Sequence, residues 1–71
     1  MMANTKGPIE LLRITGEGRY VWEPALEIVE FIPQGERRST RTLHPSSASN
    51  TYNGVMRVVA RDILKLHPAG E

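Results

Sequence analysis

The chain has 71 residues, no cysteine and a net charge of +1. At this length it forms one domain at most and buries only about 60% of the surface that its unfolded form exposes. The lack of cysteine excludes disulfides and thiolate zinc sites, and no apolar run approaches the roughly 20 residues of a membrane span. The N-terminus lacks the apolar core of a signal peptide, so the cytoplasm is the default location. We therefore expect one domain over residues 9–67, between a flexible N-terminal tail at 1–8 and a C-terminal tail at 68–71.

The first part of this domain predicts a β-hairpin. Residues 9–15 (IELLRIT) and 19–23 (RYVWE) are rich in β-branched, aromatic and aliphatic side chains, which favour strands. Between them lies Gly16-Glu17-Gly18, and glycine accepts the positive φ angles of tight hairpin loops. We therefore expect two antiparallel strands joined by a loop at residues 16–18.

The register of this hairpin has two interpretations. With a three-residue loop, one face holds two apolar cross-strand pairs, Leu12–Trp22 and Ile14–Tyr20. With a two-residue loop, the aromatic rings share a face with Arg13, as in a stacking platform for single-stranded nucleic acid. The three-residue loop buries more apolar surface and is favoured, because burial specifies register.

Residues 24–32 (PALEIVEFI) fit either a helix or a strand. A helix would have proline at its first position and apolar side chains on one side. A strand would use the Ile, Val and Phe content. The turn signal at residues 33–35 and the threonine-containing segment 36–44 that follows favour a second hairpin.

The arginines of the second hairpin are candidate binding residues. Arg37, Arg38 and Arg41 lie among serine and threonine, and these residue types commonly contact phosphates. A three-residue loop would instead place Arg38 opposite Glu30 and Arg41 opposite Glu27, as cross-strand ion pairs. The ion pairs are favoured, because a pI of 8.2 is below the basicity of a dedicated nucleic-acid domain.

The last element is an amphipathic helix over residues 53–66, with Asn53 as N-cap and Pro68 beyond its end. Spacings of three and four place a set of apolar residues on one side: Tyr52, Val55, Met56, Val59, Ile63 and Leu66. Three cations at four-residue spacing, Arg57, Arg61 and Lys65, lie opposite. A solvated helix face is the favoured interpretation of this row, and a phosphate-binding stripe is the alternative.

Motifs for catalysis or cofactor binding are not evident. The two histidines, His44 and His67, each precede proline and lack the clustered spacing of metal ligands. No G-x-S-x-G motif is present, and Gly16-Glu17-Gly18 lacks the lysine and further glycine of phosphate-binding loops. We expect no enzymatic activity, cofactor, bound metal or small-molecule substrate.

Together these patterns predict an α+β fold: a small antiparallel sheet of three to four strands in two hairpins, with one C-terminal helix packed on one face. Charge is uneven, at −3 for residues 1–36 and +4 for residues 37–71. We expect a non-enzymatic regulatory or adaptor module that docks on a macromolecular partner, with a protein or a second copy favoured. The alternatives are a nucleic-acid-binding regulator and a structural subunit of an oligomer.

Overall fold

Three successive apolar segments of the chain form a sheet, and a fourth short strand completes it. The computed structural model describes residues 7–35 and 39–66. The elements, in chain order, are β1 (Ile9–Ile14), β2 (Gly18–Glu23), β3 (Ile28–Pro33), β4 (Arg41–Leu43), a 3₁₀ turn (Ser47–Ser49) and α1 (Tyr52–Leu66). All neighbouring strands are antiparallel, in the order β1-β2-β3-β4. The predicted α+β architecture is confirmed. Residues 1–6, 36–38 and 67–71 lie outside the described residues, and with them most of the predicted tails at 1–8 and 68–71 and the candidate residues Arg37 and Arg38.

The ambiguous segment 24–32 is a turn followed by a strand, so the helix alternative is wrong. Two backbone hydrogen bonds close the turn: Leu26 N donates to Glu23 O at 3.1 Å, and Glu27 N donates to Pro24 O at 3.2 Å. Glu27 has φ of 58°, in the left-handed region. The chain therefore reverses direction between β2 and β3 instead of starting a helix.

The first hairpin forms, but its predicted register is wrong. Leu12 lies opposite Tyr20 and Ile14 opposite Gly18, with a bulge between Glu10 and Leu12. The loop is residues 15–17, one residue earlier than predicted. Because the pairing slips by two residues for Ile14, its side chain stays on the face that carries Tyr20. The predicted apolar face is therefore retained despite the error in pairing.

Gly18 accounts for the position of this loop. It pairs with Pro33 in β3, and a Cβ atom at Gly18 would lie 2.5 Å from the carbonyl oxygen of Ile32 and 2.7 Å from the Phe31 ring. Its φ of 150° also falls in the region that favours glycine. Gly18 consequently belongs to β2, where only glycine fits, and not to the loop.

The second hairpin also forms in a register that differs from the prediction. Arg41 lies opposite Phe31, and Thr42 lies opposite Glu30. The predicted pairs Glu27–Arg41 and Glu30–Arg38 are therefore wrong. β4 begins at Arg41 instead of residue 36, so the connection from β3 is longer than three residues. In this register Arg41 shares the face of the sheet that α1 covers.

The core lies between this face and α1. Its buried apolar side chains come from three elements and are Tyr20, Trp22, Val29, Phe31, Val55 and Val59. Ile63 packs against this cluster, whereas Tyr52 and Leu66, predicted on the same stripe, are exposed at the ends of the helix. Within residues 7–35 and 39–66, no helix has the length and apolar character to cross a membrane.

α1 is capped by Thr51, so the prediction of Asn53 as N-cap is wrong. Thr51 Oγ1 accepts a hydrogen bond from Gly54 N at 3.0 Å, and Thr51 O accepts from Val55 N at 2.8 Å. The segment before the helix is fixed to the sheet by Asn50. Its Oδ1 accepts from Trp22 Nε1 at 2.8 Å, and its Nδ2 donates to Pro24 O at 3.1 Å. These contacts set where the helix starts above the sheet.

Candidate functional site

A buried carboxylate on the inner side of α1 is the centre of the polar interactions in this domain. Asp62 is 7% exposed and lies three residues after Val59 on the apolar side of the helix. Arg41 binds it with two hydrogen bonds, from Nη1 to Oδ1 at 2.9 Å and from Nη2 to Oδ2 at 2.8 Å. The hydroxyl of Tyr20 donates to Oδ2 at 2.5 Å. Both carboxylate oxygens therefore have donors, and three elements are joined at one point.

This cluster shifts the pKa of each of its members. The hydrogen bonds from Arg41, together with its charge, hold the pKa of Asp62 below its usual value. Burial, followed by the hydrogen bond to Asp62, raises the pKa of Tyr20 to about 12. The hydrogen bonds to Asp62 raise the pKa of Arg41. The carboxylate is therefore ionised and the phenol neutral over the ordinary pH range.

Arg41 is thus held in place by the cluster, although its side chain is 40% exposed. Its guanidinium carbon also lies 5.1 Å from the centroid of the Phe31 ring, within the range of a cation–π contact. Of the candidate arginines of the second hairpin, Arg41 is placed on Asp62, and Arg37 and Arg38 lie outside the described residues. Arg41 therefore has both of its terminal nitrogens engaged by a carboxylate.

An open groove of about 350 Å³ lies between the end of β4, the 3₁₀ turn and α1. We refer to it as the β4–α1 groove. Its apolar wall consists of the half-buried residues Leu43, Pro45 and Val58. The exposed lining residues His44, Arg61 and Lys65 form what we call its rim. Ser46, Ser49 and Asp62 complete the lining. Two of the three predicted helix cations are therefore brought to one concave surface.

The cations of the helix differ from those of the sheet in their pairing. Arg57, Arg61 and Lys65 are exposed, and within the described part of the chain none of them forms an ion pair. On the uncovered face of the sheet, Arg13 pairs with Glu10 at 2.8 Å and Arg19 lies 3.6 Å from the same carboxylate. The unpaired positive charge of the described residues is therefore concentrated on α1.

Asp62 and the Tyr20 hydroxyl are the functional groups that the sequence pattern did not identify. One signal was present, because Asp62 falls seven residues after Val55 and three after Val59, on the buried side of an amphipathic helix. An acid at such a position requires a buried partner, since an unpaired buried carboxylate is costly. The partner could not be named from the sequence, as Arg41 is 21 residues away and Tyr20 is 42 residues away.

In residues 7–35 and 39–66, no three metal-ligating side chains are grouped so that they could hold a metal ion. No protein-family model, curated protein or solved structure matches the chain at a significant level. The class of the domain is therefore defined by its own geometry: a four-stranded antiparallel meander with a C-terminal helix fixed across one face by an Asp–Arg–Tyr cluster.

Proposed function

We propose that this domain is a non-enzymatic adaptor module that docks on an acidic surface of a protein partner through the β4–α1 groove. The observation that carries the proposal is the position of Arg61 and Lys65. Both lie on the rim of this groove, exposed, and without an ion pair in the described ranges. Charges in this arrangement steer a partner of opposite sign and orient it against the groove.

The apolar wall of the groove favours a protein over a nucleic acid. Leu43, Pro45 and Val58 lie beside the cations, and Leu64 is exposed three residues after Arg61. Apolar side chains are typical of the buried centre of a protein interface, whereas binding to a phosphate backbone depends mainly on the number of cations that contact it. The net charge of +1 and the engagement of Arg41 by Asp62 also reduce the positive charge available to phosphates.

The arrangement of the titratable groups supports a role without catalysis. Asp62 and Tyr20 have shifted pKa values, which often marks an active site. Here each group is saturated by the others, because Tyr20 is 1% exposed and both oxygens of Asp62 accept hydrogen bonds. Such a cluster stabilises the helix on the sheet and offers no free base or nucleophile to a substrate.

The test is binding of a fluorescein-labelled peptide of alternating glutamate and valine, measured by fluorescence anisotropy at low and physiological salt. Arg61→Glu places a negative charge on the rim and is expected to weaken binding about fivefold or more. Arg57→Glu is the matched control, because it makes the same charge change on α1 at a residue that does not line the groove. It is expected to retain binding within about twofold.

Labelled single- and double-stranded oligonucleotides provide the opposing outcome. Tight oligonucleotide binding with a steep loss of affinity in salt, reduced equally by Arg57→Glu and Arg61→Glu, would replace the proposal with the phosphate-binding stripe. A mass that rises with protein concentration in sedimentation, with no peptide binding, would replace it with an oligomeric subunit.

A further inference from the structure

The sheet has two edges, and they differ in how they are protected. The strand order leaves β1 and β4 at the edges. β1 follows Pro8, contains the bulge next to Glu10, and carries the exposed ion pair of Glu10 with Arg13. Proline, bulges and exposed charges are the usual devices that prevent another strand from pairing with an edge. β1 is therefore a blocked edge.

β4 is short, at three residues, and Pro45 lies two residues after its end. The strand itself contains no bulge and no proline, and the side chain of Arg41 is held by Asp62. Ser39 and Thr40 precede it, exposed and outside any regular element. They can lengthen β4 when a second strand pairs with it, because strand addition supplies hydrogen bonds to the backbone.

Within residues 7–35 and 39–66 no strand pairs with the outer edge of β4, and this open edge adjoins the β4–α1 groove. Leu43, the last residue of β4, and His44, which follows it, line the groove together with Arg61 and Lys65 of α1. A strand placed beside β4 would therefore extend the sheet next to the two cations. Its backbone would meet the free edge, and side chains on one of its faces would meet the positive rim.

We propose that the β4–α1 groove binds an extended acidic segment of the protein partner, which adds to β4 as a fifth strand of the sheet. This inference rests on the proposed function and specifies how the partner is bound. Backbone hydrogen bonds to β4 supply affinity, and alternate side chains of the added strand supply specificity. Glutamate or aspartate at every second position would face Arg61 and Lys65.

The charges on the rim favour this occupant over a second copy of the domain. Pairing of β4 with the β4 strand of another copy would bring two sets of Arg61 and Lys65 to the same edge. Like charges at such a distance disfavour association. An acidic strand from another protein neutralises the same cations.

The experiment uses octapeptides of alternating glutamate and valine in three forms. One is unmodified, and the other two carry N-methyl groups on alternate residues, one form for each edge of the peptide strand. Alternate amides of a strand point to the same edge, so each N-methylated form blocks hydrogen bonding on one edge only. We expect one form to bind at least about tenfold more weakly than the unmodified peptide and the other to bind within about threefold. A peptide with lysine in place of glutamate is expected not to bind.

A second readout locates the peptide on the protein. Those backbone amides of residues 41–43 that point to the outer edge of β4 are expected to exchange hydrogen more slowly when the unmodified peptide is bound. Equal binding of all three forms, or unchanged hydrogen exchange at residues 41–43, would overturn strand addition. The proposed docking groove would still stand in that case if Arg61→Glu weakens binding. Binding that is insensitive to Arg61→Glu would overturn the proposed function itself. Absence of binding at millimolar peptide would overturn the inference.

Discussion

Replacement of Asp62 by alanine tests the central cluster most directly. The change leaves the hydroxyl of Tyr20 inside the core at 1% exposure without an acceptor, and a buried unsatisfied donor costs about 1–3 kcal/mol. The loss of the Arg41 contact adds at most about 1 kcal/mol, because the arginine side chain is 40% exposed and regains water. We expect the free energy of unfolding to fall by about 1–4 kcal/mol. This is a large share of the roughly 4–10 kcal/mol expected for 71 residues.

A double-mutant cycle separates the orphaned hydroxyl from other effects of the substitution. Tyr20→Phe alone removes one hydrogen bond and leaves Asp62 with Arg41, at a cost of about 1–2 kcal/mol. In the Tyr20→Phe background, Asp62→Ala no longer strands a hydroxyl, so its cost should fall by about 1–2 kcal/mol. The exposed neighbour Arg61→Ala is the control and should lie within about 0.5 kcal/mol of the wild type.

The assay is urea denaturation followed by the fluorescence of Trp22, the single tryptophan, which is buried in the apolar core together with Tyr20. Far-ultraviolet circular dichroism on the same samples checks that unfolding is two-state. The reasoning is refuted if Asp62→Ala costs less than about 0.5 kcal/mol. It is equally refuted if Asp62→Ala lowers the free energy of unfolding by the same amount in the wild type and in Tyr20→Phe, since Asp62 and Tyr20 would then not be coupled.

Three further predictions concern the helix start and the phenol. Thr51→Ala should lower the free energy of unfolding by about 1 kcal/mol through loss of the N-cap, whereas Asn53→Ala should leave the urea midpoint nearly unchanged. Gly54→Ala should destabilise the domain, although alanine usually stabilises a helix, because its Cβ would collide with the carbonyl of Ser49; a higher urea midpoint would contradict this contact. Because the pKa of Tyr20 is raised from 10.0 to about 12, the unfolded chain releases this proton before the folded chain does. Stability should therefore fall as the pH rises from about 10 to 12, and Tyr20→Phe should lose that part of the pH dependence in urea titrations.

Local patterns in the sequence were sufficient for the types of β1, β2 and α1, but they left residues 24–32 open between helix and strand and did not show how the strands pair. Turn residues and β-branched runs identify the first hairpin, and the 3.6-residue period identifies α1. The register of β1 on β2 depends instead on Gly18, because a side chain at this position would collide with the backbone of Ile32 in β3. That contact joins residues of different hairpins, so no pattern within the first hairpin indicates it.

The start of the helix shows the same dependence on distant contacts. Thr51 and Asn53 are both good N-cap residues, and propensity alone does not choose between them. Contacts outside the helix fix its N-cap at Thr51. Gly54 packs closely against the backbone of Ser49, and the side chain of Asn50 is hydrogen-bonded to Trp22 and to the β2–β3 turn. The β4–α1 groove could not be predicted for the same reason, since it forms only when β4 and α1 are packed together.

The order of the elements also affects how the chain folds. Each strand pairs with the strand next to it in sequence, so the meander forms from contacts that are short in sequence. Val55, Val59 and Asp62 come from the last quarter of the chain. Until α1 packs on the sheet, the apolar face of the sheet and the guanidinium of Arg41 lack the cover that these residues supply. A partly folded chain without the helix therefore exposes apolar surface that promotes aggregation.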